Sequence, residues 1–414
     1  MAAFVYMALA TAMFFWIKGE IRLGDFGFMY QFIFGAIIVL FALGVFLVRP
    51  RLGLAKKLIQ YSFILSVPYY VPVLLSFMIW IGVLAEYRIM IRGFFLVMYV
   101  FLGIGVSAAT LYIFGERGIW YCLGSMIIAN MLRALLLIGT AGFGQFLSEF
   151  LDLILSFANE TGSVIAQMEV HDQTFAFGFF LVFLLVCIKD IRHRYLWLFL
   201  TLVSFLLGLK RIAAIGTAVA VITAFVLHFF SEKTAQKIAV VIACLSVLVS
   251  FIYIVAVHNG LFVFLENRLN INTMFRKTLY EVLSQYYEIS VTYMGRGLGF
   301  SGTDWLKFRG MPAIEIHNDF LRMYVELGFV GYFVWAWCHF VLRIKYFFLK
   351  GGKKTGLLCL ALSVYSYINY ITDNTLFYYD ANIAFSISVM ACCLKNTGER
   401  NKEKDYYETE KISL

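Results

Sequence analysis

Long apolar stretches separated by short polar ones run the length of the chain. Twelve of them approach the roughly 20 apolar residues that a helix needs to cross a hydrocarbon core about 30 Å thick. They lie at 2–17, 27–48, 61–85, 93–114, 118–139, 173–188, 195–209, 212–230, 238–257, 317–342, 356–372 and 382–394. The seventh and twelfth are short, which predicts little tilt or borrowed flanking residues. The first follows Met1 with no charged leader segment or clean cleavage site, so it reads as a retained helix. Pro68 and Pro72 predict a kink in the third helix. The pattern predicts an all-α polytopic membrane protein of about 12 transmembrane helices. One bundle covers 1–394, a long external loop at 258–316 separates the ninth and tenth helices, and 395–414 is a charged tail. Within that loop, Tyr280, Leu283, Tyr286 and Tyr287 fall at helical spacing and predict an amphipathic helix near 273–289. No internal repeat of 20–50 residues is present, and the two halves share no pattern of the kind some transporters show.

Composition agrees with this reading and excludes others. Of 414 residues, 62% are hydrophobic and 14% charged, against about 25% charged in soluble domains. The mean hydropathy is +0.83. A soluble globular enzyme is excluded, and so, with four prolines, is a disordered chain. The net charge of +9 would suit nucleic acid or the positive-inside bias of membrane proteins, and the placement of the cations decides. One set of alternate loops holds Arg49, Arg51, Lys56 and Lys57, then Arg117, then Lys189, Arg192 and Arg194. It continues with Lys233 and Lys237, then Arg343, Lys345, Lys350, Lys353 and Lys354, and the tail adds Lys395, Arg400, Lys402, Lys404 and Lys411. The opposite stretch 140–172 has acids and no Lys or Arg. Both termini are therefore expected on the cytoplasmic side, and no nucleic-acid partner is expected. All seven cysteines fall in or beside apolar runs, with no CxxC or HExxH, so neither a disulfide frame nor a metal is expected.

Ionisable residues in or beside spans are expensive, which makes them functional candidates. Lys210-Arg211 sits at the external end of the seventh helix, directly before the eighth. Two cations at a helix start can bind a phosphate or snorkel to headgroups. The loop carries Arg276 at the start of its amphipathic segment and Arg296 within the Gly-rich stretch 295–302, where an ordinary turn is the simpler reading. His317 opens the tenth helix, and an unperturbed imidazole pKa of about 6.5 suits proton transfer. Asp319, Arg322 and Glu326 share another face of that helix and can neutralise one another as structural glue. Arg133 lies inside the fifth span and Arg92 at the start of the fourth; pairing with an acid and joining an anion site are both open for them in sequence.

His317-Asn318, followed after nine residues by Gly328 and after two more by Gly331, resembles the motif of the O-antigen polymerase and ligase family of Wzy- and WaaL-like membrane proteins. HNDFLRMYVELGFVG is close to the polymerase form of that motif. Lys210-Arg211, the segment around Arg276 and the Gly-rich stretch resemble further family features, and together the likeness covers about 205–331. Lys210 stands where the family often has Ser. The resemblance implies an undecaprenyl-pyrophosphate-linked oligosaccharide donor, a sugar hydroxyl acceptor, no cofactor and no metal. The implied location is the external side of a bacterial inner membrane. A polymerase of O-antigen or capsule repeat units is the leading reading, with a possible chain-length regulator or other assembly proteins as partners. A ligase to lipid A-core or a protein is second; a lipid-linked glycan flippase or transporter, and a scaffold, are further alternatives. A pyrophosphate leaving group needs charge stabilisation more than protonation, which suits the guanidinium fork. Arg211 and Arg276 are thus expected to clamp it with Lys210 and Arg296 binding substrate, His317 to act on the acceptor hydroxyl, and Asn318 to orient His317 or a sugar. Sugar, linkage, chain length and oligomeric state are not legible.

Overall fold

The computed structural model describes residues 2–16, 20–23, 26–155, 173–187, 193–208, 210–270, 273, 276–301 and 316–412. Helices make up nearly all of it: α1 (Ala2–Phe15), α2 (Tyr30–Val48), α3 (Leu52–Gly82), α4 (Tyr87–Phe114), α5 (Gly118–Ala141), α6 (Phe143–Leu155), α7 (Gln173–Val186) and α8 (Arg194–Leu207). They continue as α9 (Arg211–His228), α10 (Glu232–His258), α11 (Leu261–Leu269), α12 (Arg276–Leu283), α13 (Asp319–Ala336), α14 (Arg343–Thr372) and α15 (Tyr379–Ile412). A short antiparallel hairpin, β1 (Glu20–Leu23) and β2 (Phe26–Met29), is the one strand pairing among the described residues and leaves the all-α class in place. Gly27 weakens helix and its flanking phenylalanines favour strand, so α2 begins at Tyr30 and not at residue 27. The acidic stretch at 156–172 and the loop at 302–315, with Glu160, Glu169, Asp304, Lys307 and Arg309, lie outside the described residues.

Helix occupies each of the twelve apolar runs, but six helical stretches among the described residues have the length and composition of a membrane crossing: Tyr30–Val48, Leu52–Gly82, Tyr87–Ala141, Arg211–His228, Glu232–His258 and Asp319–Thr372. Two of these, 55 and 54 residues long, far exceed one bilayer. The first contains α4 and α5, separated at Gly115. The second is broken at Gly328 and Gly352, both at positive φ. Conversely, α1, α7 and α8 have 14 residues each, about 21 Å of helix, less than a bilayer core. The bundle is apolar outside as well as inside. Leu40, Phe225, Ile222 and Val241 are more than half exposed on α2, α9 and α10, a surface that lipid solvates and water does not. These features are those of a multi-pass membrane protein.

Packing around α13 and α14 sets the geometry of the rest. Trp335, Tyr324, Tyr332, Phe320 and Phe340 are fully buried. Tyr365 of α14 donates to the Phe175 carbonyl of α7 at 3.0 Å and packs on Gly216 of α9. Small residues at 213, 216, 217 and 220 bury the matching stripe of α9, which lets the helices approach closely. The start of α9 is thereby brought to the end of α14. The tenth run also extends further than its apolar pattern: helix continues through Arg343 to the break at Gly352. Arg343, counted with the loop cations from sequence, is a buried residue. Its Nη2 donates to the Leu65 carbonyl and its guanidinium lies 5.3 Å from the Tyr69 ring centroid. The third helix remains helical through Pro68 and Pro72.

Candidate functional site

Three helices begin, and one ends, at a single place. α9 starts just after Lys210, α12 starts with Arg276, and α13 starts just after the His317-Asn318 pair. All three starts touch the end of α14, Thr372-Asp373. Lys210 Nζ lies 3.5 Å from Asp373 Oδ2. His317 Nδ1 lies 3.5 Å from Asp373 Oδ1. Arg276 Nη2 donates to the Thr372 carbonyl at 2.9 Å. A cation at a helix N-terminus is disfavoured by about 0.3–1 kcal/mol, so the cations on α9 and α12 need negative charge opposite them. The Asp373 carboxylate and the last carbonyls of α14 supply it here. A bound phosphate would be favoured at the same place for the same reason.

Asp373 is the hub. It lies just past α14, is 6% exposed, and also accepts from the Asn374 N–H at 3.0 Å and the Tyr378 hydroxyl at 3.2 Å on Oδ1. Burial alone would push its carboxyl up. The His317 ring, the Lys210 ammonium and the Asn374 N–H more than offset this and hold it at about 2. It is therefore an anion throughout the neutral range, able to orient and charge-stabilise the His317 ring.

His317 is held by its neighbours and open at its side chain. Its backbone is left-handed, with φ 47°, a conformation uncommon outside glycine, asparagine and aspartate. It is maintained by contacts on either side. Tyr280 donates its hydroxyl to the Ile316 carbonyl at 3.0 Å. Asn318 caps α13 by accepting from the Leu321 N–H at 3.0 Å. The Asn318 amide donates to the Tyr253 hydroxyl at 3.2 Å, and that hydroxyl donates to the Ile371 carbonyl at 3.2 Å. Yet 40% of the His317 side chain is exposed. One ring nitrogen faces the carboxylate, which leaves the other edge for a substrate.

The sequence-predicted residues thus divide. Lys210, Arg276, His317 and Asn318 meet within one network. Arg211 follows Lys210 directly, opens α9 and is exposed at the same end. Arg296 belongs to a different assembly. Its Nε donates to the Tyr286 carbonyl at 3.0 Å, and its guanidinium lies 5.9 Å from the Phe300 ring centroid. Its backbone helps to fill the break at Gly328. There the helix turns to φ 72°, ψ −173°, and the Val325 and Glu326 carbonyls lose their helical donors. Arg296 N–H and Gly297 N–H replace them at 3.0 and 2.7 Å, and Phe329 N–H donates to the Tyr293 carbonyl at 2.8 Å. A Cβ at Gly328 or Gly295 would run into the other's backbone. The Gly-rich stretch is more than a turn: it is docked backbone to backbone on α13.

The Asp319, Arg322 and Glu326 trio fixes this corner. Asp319 Oδ2 accepts from the Leu376 N–H at 2.8 Å. Arg322 lies 3.6 Å from Glu326 and 4.6 Å from the Phe377 ring centroid. Glu326 accepts from the Ser301 N–H at 3.0 Å. Their contacts are internal, in line with structural glue. Arg133 likewise acquires partners that the sequence does not announce, the Phe14 and Phe15 carbonyls and Gln173. Asp373 and Tyr253 are the site residues missed from sequence. Asp373 stands in a short polar stretch between two apolar runs, where an acid reads as an ordinary connection.

The O-antigen ligase family model matches residues 195–336. That span takes in Lys210, Arg211, Tyr253, Arg276, Arg296, His317 and Asn318, and bears out the resemblance read from the sequence. No curated protein and no solved structure matches the chain. The match supports a membrane glycosyltransferase of the O-antigen ligase or polymerase type in general.

Proposed function

We propose that the chain is a repeat-unit polymerase for O-antigen or capsule. It would take a glycan from undecaprenyl pyrophosphate and join it to a sugar hydroxyl of another lipid-linked unit, on the external face of the inner membrane. The observation that carries a transfer of this kind is the meeting of Lys210 and His317 on Asp373, with Arg276 on the neighbouring Thr372 carbonyl. The polymerase reading over the ligase reading rests on the HNDFLRMYVELGFVG motif. Chain-length regulators and other assembly proteins are proposed partners.

The roles follow from the chemistry. The donor's anomeric carbon carries a pyrophosphate that departs as an anion. Arg276 uses one N–H on the Thr372 carbonyl and retains others of its five for phosphate oxygens. Arg211, exposed beside Lys210, is assigned to the same leaving group. Lys210 exchanges part of its contact with Asp373 for phosphate as charge develops. His317 receives the acceptor hydroxyl's proton, with Asp373 orienting the ring and stabilising its charged form. Direct displacement by that hydroxyl inverts the anomeric centre. Arg296 acts indirectly here, by holding the loop that seats α13.

Gel analysis of surface polysaccharide from a strain lacking the gene tests this. A core bearing a single repeat unit, with the long ladder gone, is the expected outcome. Loss of every repeat from the core, with lipid-linked polymer accumulating, would assign the ligase reaction instead. A core bearing no repeat unit at all, with unpolymerised lipid-linked units retained inside the cell, would favour a flippase.

A further inference from the structure

Tyr280 grips the backbone on both sides of His317. Its hydroxyl lies 3.0 Å from the Ile316 carbonyl oxygen and 3.4 Å from that of His317. These carbonyls belong to the peptide planes before and after the His317 Cα, and only φ and ψ of His317 lie between them. One donor shared by both therefore holds the left-handed turn at φ 47°, a conformation that an L side chain disfavours. The direction of the Cα–Cβ bond follows from that turn. So does the place of the ring beside Asp373, with Nδ1 3.5 Å from Oδ1. The donor is itself anchored. Tyr280 is buried on α12 along with Leu279 and Leu283, and it packs edge-on against Phe262 of α11 with ring centroids 4.8 Å apart. It stands four residues after Arg276, so both side chains leave the same face of α12. Arg276 reaches the Thr372 carbonyl and Tyr280 the carbonyls at His317. One short helix thus spaces the guanidinium from the imidazole.

We propose that Tyr280 is the positioning residue for His317. Its phenol holds the imidazole in the pose that takes the acceptor hydroxyl's proton, as that oxygen bonds the anomeric carbon and the pyrophosphate leaves. The imidazole's task rests on the transfer reading, and the grip on its backbone does not. Tyr280 touches no substrate in this role. Without the hydroxyl, the ring of residue 280 keeps its packing, and His317 relaxes toward an ordinary backbone conformation with its imidazole off Asp373. One neutral hydrogen bond corresponds to about a fivefold change in the share of molecules so posed.

Tyr280→Phe in the full chain, purified in mild detergent, tests this with two readouts. The first needs no substrate: labelling of His317 by diethyl pyrocarbonate, read by mass spectrometry, with the exposed His193 and His228 as internal references. The variant is expected to label His317 about fivefold faster, because the nitrogen that faced Asp373 becomes free, and to leave the references unchanged. The second is turnover of the lipid-linked repeat unit purified from a strain lacking the gene. Here kcat should fall about fivefold with KM for the donor unchanged, since Arg276 and Lys210 keep their places. Replacing Tyr280 with 4-aminophenylalanine, whose N–H donates from the same position, should restore both. Tyr287→Phe removes a buried hydroxyl that bonds nothing among the described residues and should change neither. Parent-like labelling and turnover in Tyr280→Phe, or an equal change in Tyr287→Phe, would overturn the positioning role. Faster labelling with unchanged turnover would uphold the grip and overturn the part of His317 in the transfer.

Discussion

At the scale of single residues, Asp373 carries the sharpest consequences. It holds a cation and a histidine in place from one buried carboxylate. Asp373→Asn keeps the shape and removes the charge, so glycan transfer is expected to fall by about 10²–10⁴ while the protein still inserts. Polymer of normal length and amount from this variant at normal expression would remove Asp373 from the mechanism. Its pKa sets a pH window as well. A carboxyl held at about 2 when folded, against about 3.9 unfolded, stabilises the fold above about pH 4, and this is lost as pH falls toward 2. The Tm difference between parent and Asp373→Asn should therefore shrink as pH falls below 4. His317→Ala and Arg276→Ala should each abolish polymer. Arg211→Lys retains charge and loses the fork, so a measurable drop in rate is expected, and full activity would argue against a bidentate phosphate contact.

At the scale of elements, the break in α13 decides where the Gly-rich stretch docks. A straight helix through Gly328 would leave the Gly-rich stretch without the Val325 and Glu326 carbonyls that its N–H groups use. Gly328→Ala combines a backbone conformation essentially reserved for glycine, costing of order 1–3 kcal/mol, with a collision against residues 293–295. A fall in Tm of several degrees and reduced yield are expected, measured in detergent. Unchanged thermal stability would mean that the break tolerates a side chain. The glycine spacing is visible in sequence, and glycines on a membrane helix ordinarily allow close packing. Gly331 fits that reading, since a Cβ there would crowd Leu75 of α3. Gly328 does something else, because only the folded chain shows which carbonyls are freed and what replaces their donors.

At the scale of the whole molecule, the uneven distribution of Lys and Arg predicts orientation. The expected outcome is that a fluorescent reporter fused beyond Lys395 glows, since such reporters fold on the cytoplasmic side, and that a periplasmic phosphatase fused there is inactive. The reverse pattern would invert the bundle and move the Asp373 site to the inner face. Burial of Arg343 removes one cation from the loop count without reversing the bias. Lengths complicate the span count more. Helices of 14 residues are too short to cross alone, whereas α14 and α15 run past their apolar stretches into charged sequence.

Sequence alone determined that this is a helical membrane protein, because a chain with 62% apolar residues has no stable alternative in water. It also singled out Lys210, Arg276, His317 and Asn318, because charged and hydrogen-bonding groups beside apolar runs are costly and stand out against them. Their convergence was a matter for tertiary structure alone. α9 and α14 are far apart in sequence and meet through Gly216, Tyr365 and Phe175, contacts that no local periodicity encodes. The same packing turned Asp373 from an unremarked polar residue into the anion on which two helix starts meet. It also sent Arg296 to the clasp at Gly328, away from that anion. Hydrophobic pattern is a local property of a chain, and a site assembled from four helix ends is a global one.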